Sequence, residues 1–173
     1  MLALMVVMLA APIRGTTAVA VKKPNFSGKW KLDMAASSYT IPQRNLPYDS
    51  MVLEIDHHEP ELIVTRKIYQ KGAESIQYLL YYCDGRGEEN PALAGPTKRK
   101  SRTSWNGDLL VSNSKGSVGA NVTESCQVWE LSSDGQILTY YLLPDIPPFG
   151  TDVRNSQEFL GRLKSKSIYR KIS

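Results

Sequence analysis

Apolar and polar residues alternate along most of this chain. Phe26, Gly28, Trp30 and Leu32 share one face at period two, and Ser27, Lys29 and Lys31 share the other, so residues 25–33 read as a first β-strand. Gly28 leaves room beside the Trp30 indole for another backbone or ring. The same period predicts strands over Met51–His57, Glu61–Gln70, Ser75–Cys83, Thr97–Trp105, Leu109–Asn113, Val122–Leu131 and Ile137–Leu143, with a last strand or pair within Val153–Lys171. His58-Glu59-Pro60, Lys71-Gly72-Ala73-Glu74, Asn106-Gly107-Asp108 and Ser133-Asp134-Gly135 supply turns between them. Asp33 is placed to cap one helical turn over Met34–Ser37, and no longer helical period is visible. The prediction is an all-β fold, an antiparallel up-and-down meander closed into a barrel so that no sheet edge is exposed. Successive connections of a meander alternate between its ends. On this strand count Asp84–Pro96, Lys115–Gly119 and Pro144–Asp152 gather at one end, and Ser38–Asp49 falls at the other.

The faces of these strands suggest what lies inside. If Trp105 points inward, so do Arg99, Ser101 and Thr103, while Lys98, Lys100 and Arg102 point out. The expected inner wall mixes Trp105, Trp129, Leu131, Leu138, Tyr140 and Tyr169 with Arg99, Thr103, Ser125 and Gln127. That is too polar for a solid core, and it suggests a cavity or buried water. Arg66 shares a face with Leu62 and Val64 and is a second inward cation. A slip of one residue in strand five would send Arg99 out instead.

Length and composition add a compartment. Leu2–Ala11 is an apolar run and Ala18-Val19-Ala20 a small-x-small cleavage site, so residues 1–20 read as a signal peptide and 21–173 as one domain. The run is too short to span a hydrocarbon core of about 30 Å. The expected location is secreted, periplasmic or extracellular. Cys83 and Cys126 are allowed to pair there, although Cys126 shares a face with Glu124 and Glu130 and so points away from the core. The net charge is +4, and its densest run is Lys98–Arg102. Behind an export signal that run is no nuclear or nucleic-acid device. It is a solvated strand face, or a contact for an anionic surface through Lys98, Lys100 and Arg102. Asn25-Phe26-Ser27 and Asn121-Val122-Thr123 match the glycosylation sequon, which matters only in a eukaryotic host.

Catalytic chemistry has no assembled candidate. His57 and His58 are the only histidines, and neighbours on a strand point to opposite faces, so with Glu59 and Glu61 they read as a polar turn rather than a metal site. No Ser-His-Asp or Cys-His spacing appears, and Glu54 with Asp56 reads as a pair of solvated carboxylates. No enzyme, metal or cofactor is expected.

Gly28-x-Trp30 resembles the signature that opens the lipocalins, and Gly28-x-Trp30-Lys31-Leu32 looks like the start of a fatty-acid-binding protein. Ile168-Tyr169-Arg170-Lys171 is similar to the closing Tyr-x-Lys segment of the latter family. There an arginine two residues before the tyrosine helps it hold a ligand carboxylate; this chain has Ser167 at that position. The resemblance implies a lipocalin-like barrel of eight to ten strands, plugged by Trp30, with Trp105 and Trp129 as further structural anchors. It implies a small, partly apolar ligand with a polar or anionic group. The expected ligand residues are Arg99, Tyr169, Arg66, Gln127 and Tyr140. The competing expectation is a non-catalytic envelope or interaction module with a filled barrel. An enclosed pocket of about 300 Å³ or more separates the two.

Overall fold

The computed structural model describes residues 23–40, 46, 48–92, 97–118, 121–143 and 163–173. The segment 1–20, expected to be a signal peptide, lies outside them. Ten strands follow in order: β1 (Gly28–Tyr39), β2 (Ser50–His58), β3 (Glu61–Gln70), β4 (Ala73–Tyr82), β5 (Glu88–Pro91), β6 (Lys98–Asn106), β7 (Leu109–Val118), β8 (Asn121–Leu131), β9 (Ile137–Leu143) and β10 (Ser165–Lys171). They form one antiparallel sheet in the order β4-β3-β2-β1-β10-β9-β8-β7-β6-β5. Each strand pairs with its sequence neighbour except at β4–β5, and β1 pairs with β10 to bring the two ends of the meander together. The architecture is the predicted all-β meander, curled into a nearly closed barrel.

Side chains close the seam between β4 and β5. The Asn90 amide pairs with both backbone groups of Leu80, accepting from its N–H and donating to its carbonyl, each at 2.8 Å. The Glu88 carboxylate accepts the Tyr82 N–H at 3.3 Å, and Gln77 Nε2 donates to the Ala92 carbonyl at 3.0 Å. These contacts satisfy edge groups that would otherwise template pairing with another chain.

β5 also overturns the predicted loop arrangement. Its presence inside the expected loop 84–96 adds one strand, and one strand reverses every later connection. The connections after β1, β3, β5, β7 and β9 therefore share one end. The strand ends Tyr39, Ser50, Leu143 and Ser165, which the two longest connections join, lie at this end, and the short turns after β2, β4, β6 and β8 lie at the other.

The expected helical turn after the first strand is a strand irregularity instead. β1 continues to Tyr39, and its pairing with β10 moves from Asp33↔Ile168 to Ser38↔Lys166, so β1 holds extra residues there. The predicted cap survives in a different role: Asp33 Oδ1 accepts the Ala36 N–H at 3.0 Å within the bulge.

The closed end is packed with aromatic rings. Trp30 and Phe26 are fully buried, and Trp30 Nε1 donates to the Phe26 carbonyl at 2.9 Å. Phe26 stacks on Trp105 at 5.9 Å and on His57 at 5.7 Å, and meets Trp129 edge-on. Gly28 has φ +140°, and a Cβ there would stand 2.8 Å from Lys171 Cε. Its hydrogen lets the side chain of Lys171, the strand partner of Trp30, pass close over the backbone and place Nζ 5.3 Å from the centre of the Trp30 ring. That is the close approach the opening Gly28-x-Trp30 pattern anticipates.

The bridge that an oxidising compartment would allow between Cys83 and Cys126 does not form. Both thiols are free. Cys83 belongs to the main interior core, whereas Cys126 packs with Leu109, Val111, Val128 and Leu143 in a second apolar cluster on the opposite face of the wall. Cys126 does point away from the interior, as its strand parity indicates, yet it is buried there. Burial pushes each thiol up to about 12.

Candidate functional site

Alternation on the strands decides which side chains face inward. On β3, Leu62, Val64, Arg66 and Ile68 point in; on β6, Arg99, Ser101, Thr103 and Trp105 do so; on β8, Ser125, Gln127 and Trp129. Toward the Tyr39, Ser50 and Ser165 ends of the strands these faces line a partly open cavity of about 190 Å³. Arg66, Arg99, Gln127, Tyr140 and Tyr169, named from the sequence, all line it, as does Ser167. The register therefore places Arg99 inward rather than Lys100, which is exposed.

The two guanidinium groups are held differently. Arg66 donates from Nε to Gln77 Oε1 at 2.9 Å, and its Nη2 reaches the same oxygen. Gln77 is its directly paired partner on β4 and is anchored in turn on the seam. Arg99 lays its stem against Gly116, where a Cβ would meet its Cγ at 3.1 Å. Its Nη2 donates to Ser125 Oγ at 3.1 Å, and Ser125 shares a 2.9 Å hydroxyl contact with Ser114. Arg99 Nε is buried with no hydrogen-bond partner. Among the described residues, no Asp or Glu lines the cavity. The nearby Glu88 carboxylate accepts from Ser101 Oγ, Thr103 Oγ1 and the Tyr82 N–H.

Phenols complete the polar lining. Burial raises the Tyr169 and Tyr140 hydroxyls well above their ordinary range, and lifts Tyr81 to about 12. All three stay protonated donors at neutral pH. Tyr169 donates to the weak acceptor Met51 Sδ at 3.3 Å. A cavity whose described lining holds two permanent cations, several donors and no Asp or Glu suits an acceptor-rich or anionic group, with Leu53, Val64 and Leu79 offering apolar wall beside it.

Sequence reasoning missed Tyr48, Tyr81, Asn90 and Ser114 as lining residues. Parity on the strands over 75–83 and 109–118 would have found Tyr81 and Ser114. Asn90 sits in a strand of four residues inside a turn-rich stretch and gives no periodic signal.

A second cluster lies at the closed end. One ligand atom from each of His57, Glu59 and Cys83 lies within 4.8 Å of the others. His57 is therefore no surface turn residue, being only 3% exposed. Its hydrogen bonds oppose a metal. Nδ1 accepts the Phe26 N–H at 3.2 Å, which assigns the ring proton to Nε2, facing Glu59 Oε1 at 3.3 Å and Cys83 Sγ at 3.9 Å. A cation on Nε2 would drive that proton to Nδ1, donor against donor with Phe26. Glu59 is already engaged by Trp105 Nε1 at 2.6 Å and by Lys23. The cluster is a hydrogen-bonded plug that ties β1, β2 and β6 together.

No family model matches the sequence, and no curated protein matches it. Solved structures do. A "REP1-NXSQ fatty acid transporter" superposes with a TM-score of 0.55 at 12% identity, over 86% of this chain and 96% of its own. The zebrafish ileal bile acid-binding protein complexed with cholic acid superposes with a TM-score of 0.50 at 17% identity, over 85% of this chain and 98% of its own. With the strand order and the Trp30 plug, these likenesses identify the fold as a calycin-like β-barrel, similar to those of fatty-acid- and bile-acid-binding proteins.

Proposed function

We propose that this chain is an exported, non-catalytic binding protein that holds a small amphipathic molecule in its barrel, with the anionic or polar group against Arg99 and Tyr169. The observation that carries this reading is Arg99, an inward, half-buried guanidinium lining a cavity in which, among the described residues, no Asp or Glu stands opposite it. A half-buried cation without a counter-charge gives up part of its hydration, and a ligand anion offsets that loss. Arg66 adds positive potential from β3, across the β4–β5 seam from Arg99, and takes over part of the role that Ser167 cannot fill. The similar folds belong to proteins named for fatty-acid transport and bile-acid binding, which supports binding rather than catalysis. Export rests on the character of residues 1–20. Lys98, Lys100 and Arg102 are exposed on the outer face of β6 and offer a contact to an anionic surface.

The volume sets the ligand's size. At 190 Å³ the cavity falls below the roughly 300 Å³ that separates a carrier from a filled barrel, which counts toward the filled module and limits a carrier to a short chain or a single ring. The same figure is the observation behind a second reading, a filled barrel that works through its outer surface. Native mass spectrometry of the purified protein separates the two. A co-purifying small acid, released on denaturation, supports the carrier. A mass equal to the bare chain from every expression host, with no uptake of added short-chain acids, supports the filled module.

A further inference from the structure

The cavity's two permanent cations are held apart, each by a neutral partner. Arg66 leans from β3 toward β4, where Gln77 Oε1 accepts from its Nε at 2.9 Å and also from its Nη2. Gln77 is fixed in turn, donating from Nε2 to the Ala92 carbonyl at 3.0 Å. Arg99 leans the other way, from β6 past Gly116 on β7 to Ser125 Oγ on β8, at 3.1 Å. These partners fix the position of each guanidinium and leave its charge uncompensated. Among the described residues, neither Nη1 has a hydrogen-bond partner, and both side chains are half-buried and line the cavity. The nearby Glu88 carboxylate is already taken by Ser101, Thr103 and the Tyr82 N–H.

Strand order turns this into a separation. Counted through the seam, Gln77 on β4 and Ser125 on β8 stand four places apart in the ring of ten strands. With neighbouring strands about 4.8 Å apart, that is roughly 19 Å around the wall. The two groups therefore reach the cavity from different sides and do not converge on one point. The Tyr140 phenol on β9 lies within the electrostatic reach of both. A single carboxylate that meets one guanidinium leaves the other against the ligand's alkyl end. That arrangement strips water from a cation and returns nothing. A second carboxylate gives up its own hydration but gains a charged donor, and charge-assisted hydrogen bonds are the strong ones.

We propose that the preferred ligand is a short dicarboxylic acid, with one carboxylate on Arg99 and the other on Arg66. This rests on the carrier reading above and narrows it from amphipathic acids in general to acids charged at both ends. The cavity of about 190 Å³ keeps the linker between the carboxylates short, and Leu53, Val64 and Leu79 offer apolar wall to its methylenes. A site built to pair a polar group rejects analogues that lack it more strongly than an apolar pocket rejects an extra one.

The test compares adipic acid, its monomethyl ester and hexanoic acid by titration calorimetry at neutral pH, in the native protein, Arg66→Gln and Gln77→Glu. The native protein should bind the diacid about tenfold or more tighter than either monoacid. Arg66→Gln removes the second cation and should bring the diacid and its monoester close to parity. Gln77→Glu keeps the arginine but sets a carboxylate beside it, and should have the same effect even if Arg66→Gln folds poorly. Native binding of the diacid no tighter than that of hexanoic acid overturns the second anionic contact and leaves the carrier reading intact. A diacid preference unchanged in either folded variant overturns it as well. Failure of all three acids to bind the native protein overturns both readings. The native series decides by itself if neither variant folds.

Discussion

Replacing Trp30 by alanine tests the packing of the closed end most severely. The residue is fully buried, its Nε1 holds the Phe26 carbonyl, and Lys171 lies over its face. A buried indole removes about 150–250 Å² from water, and at about 25 cal/mol per Å² most of that contribution is lost with the ring. Large-to-small changes of this kind cost about 3–5 kcal/mol once the cavity is included. The Phe26 carbonyl, left in a dry core without its donor, pushes the result toward the top of that range. With a urea slope of about 2 kcal/mol per M, the unfolding midpoint should fall by about 2 M. Trp30→Phe keeps most of the apolar area and loses the hydrogen bond, so it should fall by about a third as much. Circular dichroism of the sheet signal reads both. A midpoint for Trp30→Ala within about 0.5 M of the native value would show that the ring does not anchor the barrel.

Three other outcomes follow from particular contacts. Asn90→Ala removes both side-chain bonds to Leu80 across the seam, and should speed exchange of the Leu80 amide while costing about 1–3 kcal/mol of stability; unchanged exchange would mean the seam is closed by something else. Both thiols should be silent to Ellman's reagent in the native protein and titrate as two in urea, because each is buried and free; a single or absent thiol in urea contradicts the two-cluster placement. Burial holds the His57 imidazole below its ordinary value, against the opposing pull of Glu59. The unfolded chain therefore takes up the proton first, and stability should fall as pH drops through about 6.5, the unfolded value. A melting midpoint flat between pH 7.5 and 5.5, or a slope retained in His57→Asn, would contradict that account.

The sequence announced the barrel because its strands are half-buried: one face meets the interior, and alternation records it. Parity points Arg99 and Gln127 inward, the family resemblance adds Tyr169 and the Trp30 plug, and all four side chains face the interior. Two features escaped for physical reasons. β5 is four residues long and is held through the Asn90 amide as well as by a ladder on one side, so the period was too short to read and the ends of the barrel were assigned in reverse. His57 ends the predicted strand Met51–His57, and grouping it with His58, Glu59 and Glu61 as a polar turn overlooks that its position continues the inward face of Met51, Leu53 and Ile55. Parity outweighed polarity there, since Phe26, Glu59 and Cys83 satisfy the ring. The cysteines show the limit of parity in the other direction. An outward face is not always a wet one, and Cys126 lies in an apolar cluster that no pattern within its own strand reveals.

The central claim is that Arg99 awaits an anion inside the barrel. Binding of a short alkyl acid and its methyl ester, followed by titration calorimetry in the native protein and in Arg99→Gln, addresses it directly. The account predicts that the native protein prefers the acid by about tenfold or more, since a hydrogen bond to a charged group contributes about 1.5–3 kcal/mol. Arg99→Gln should lose most of that preference while still binding the ester. Equal affinity for acid and ester in the native protein, unchanged by the substitution, would contradict the claim.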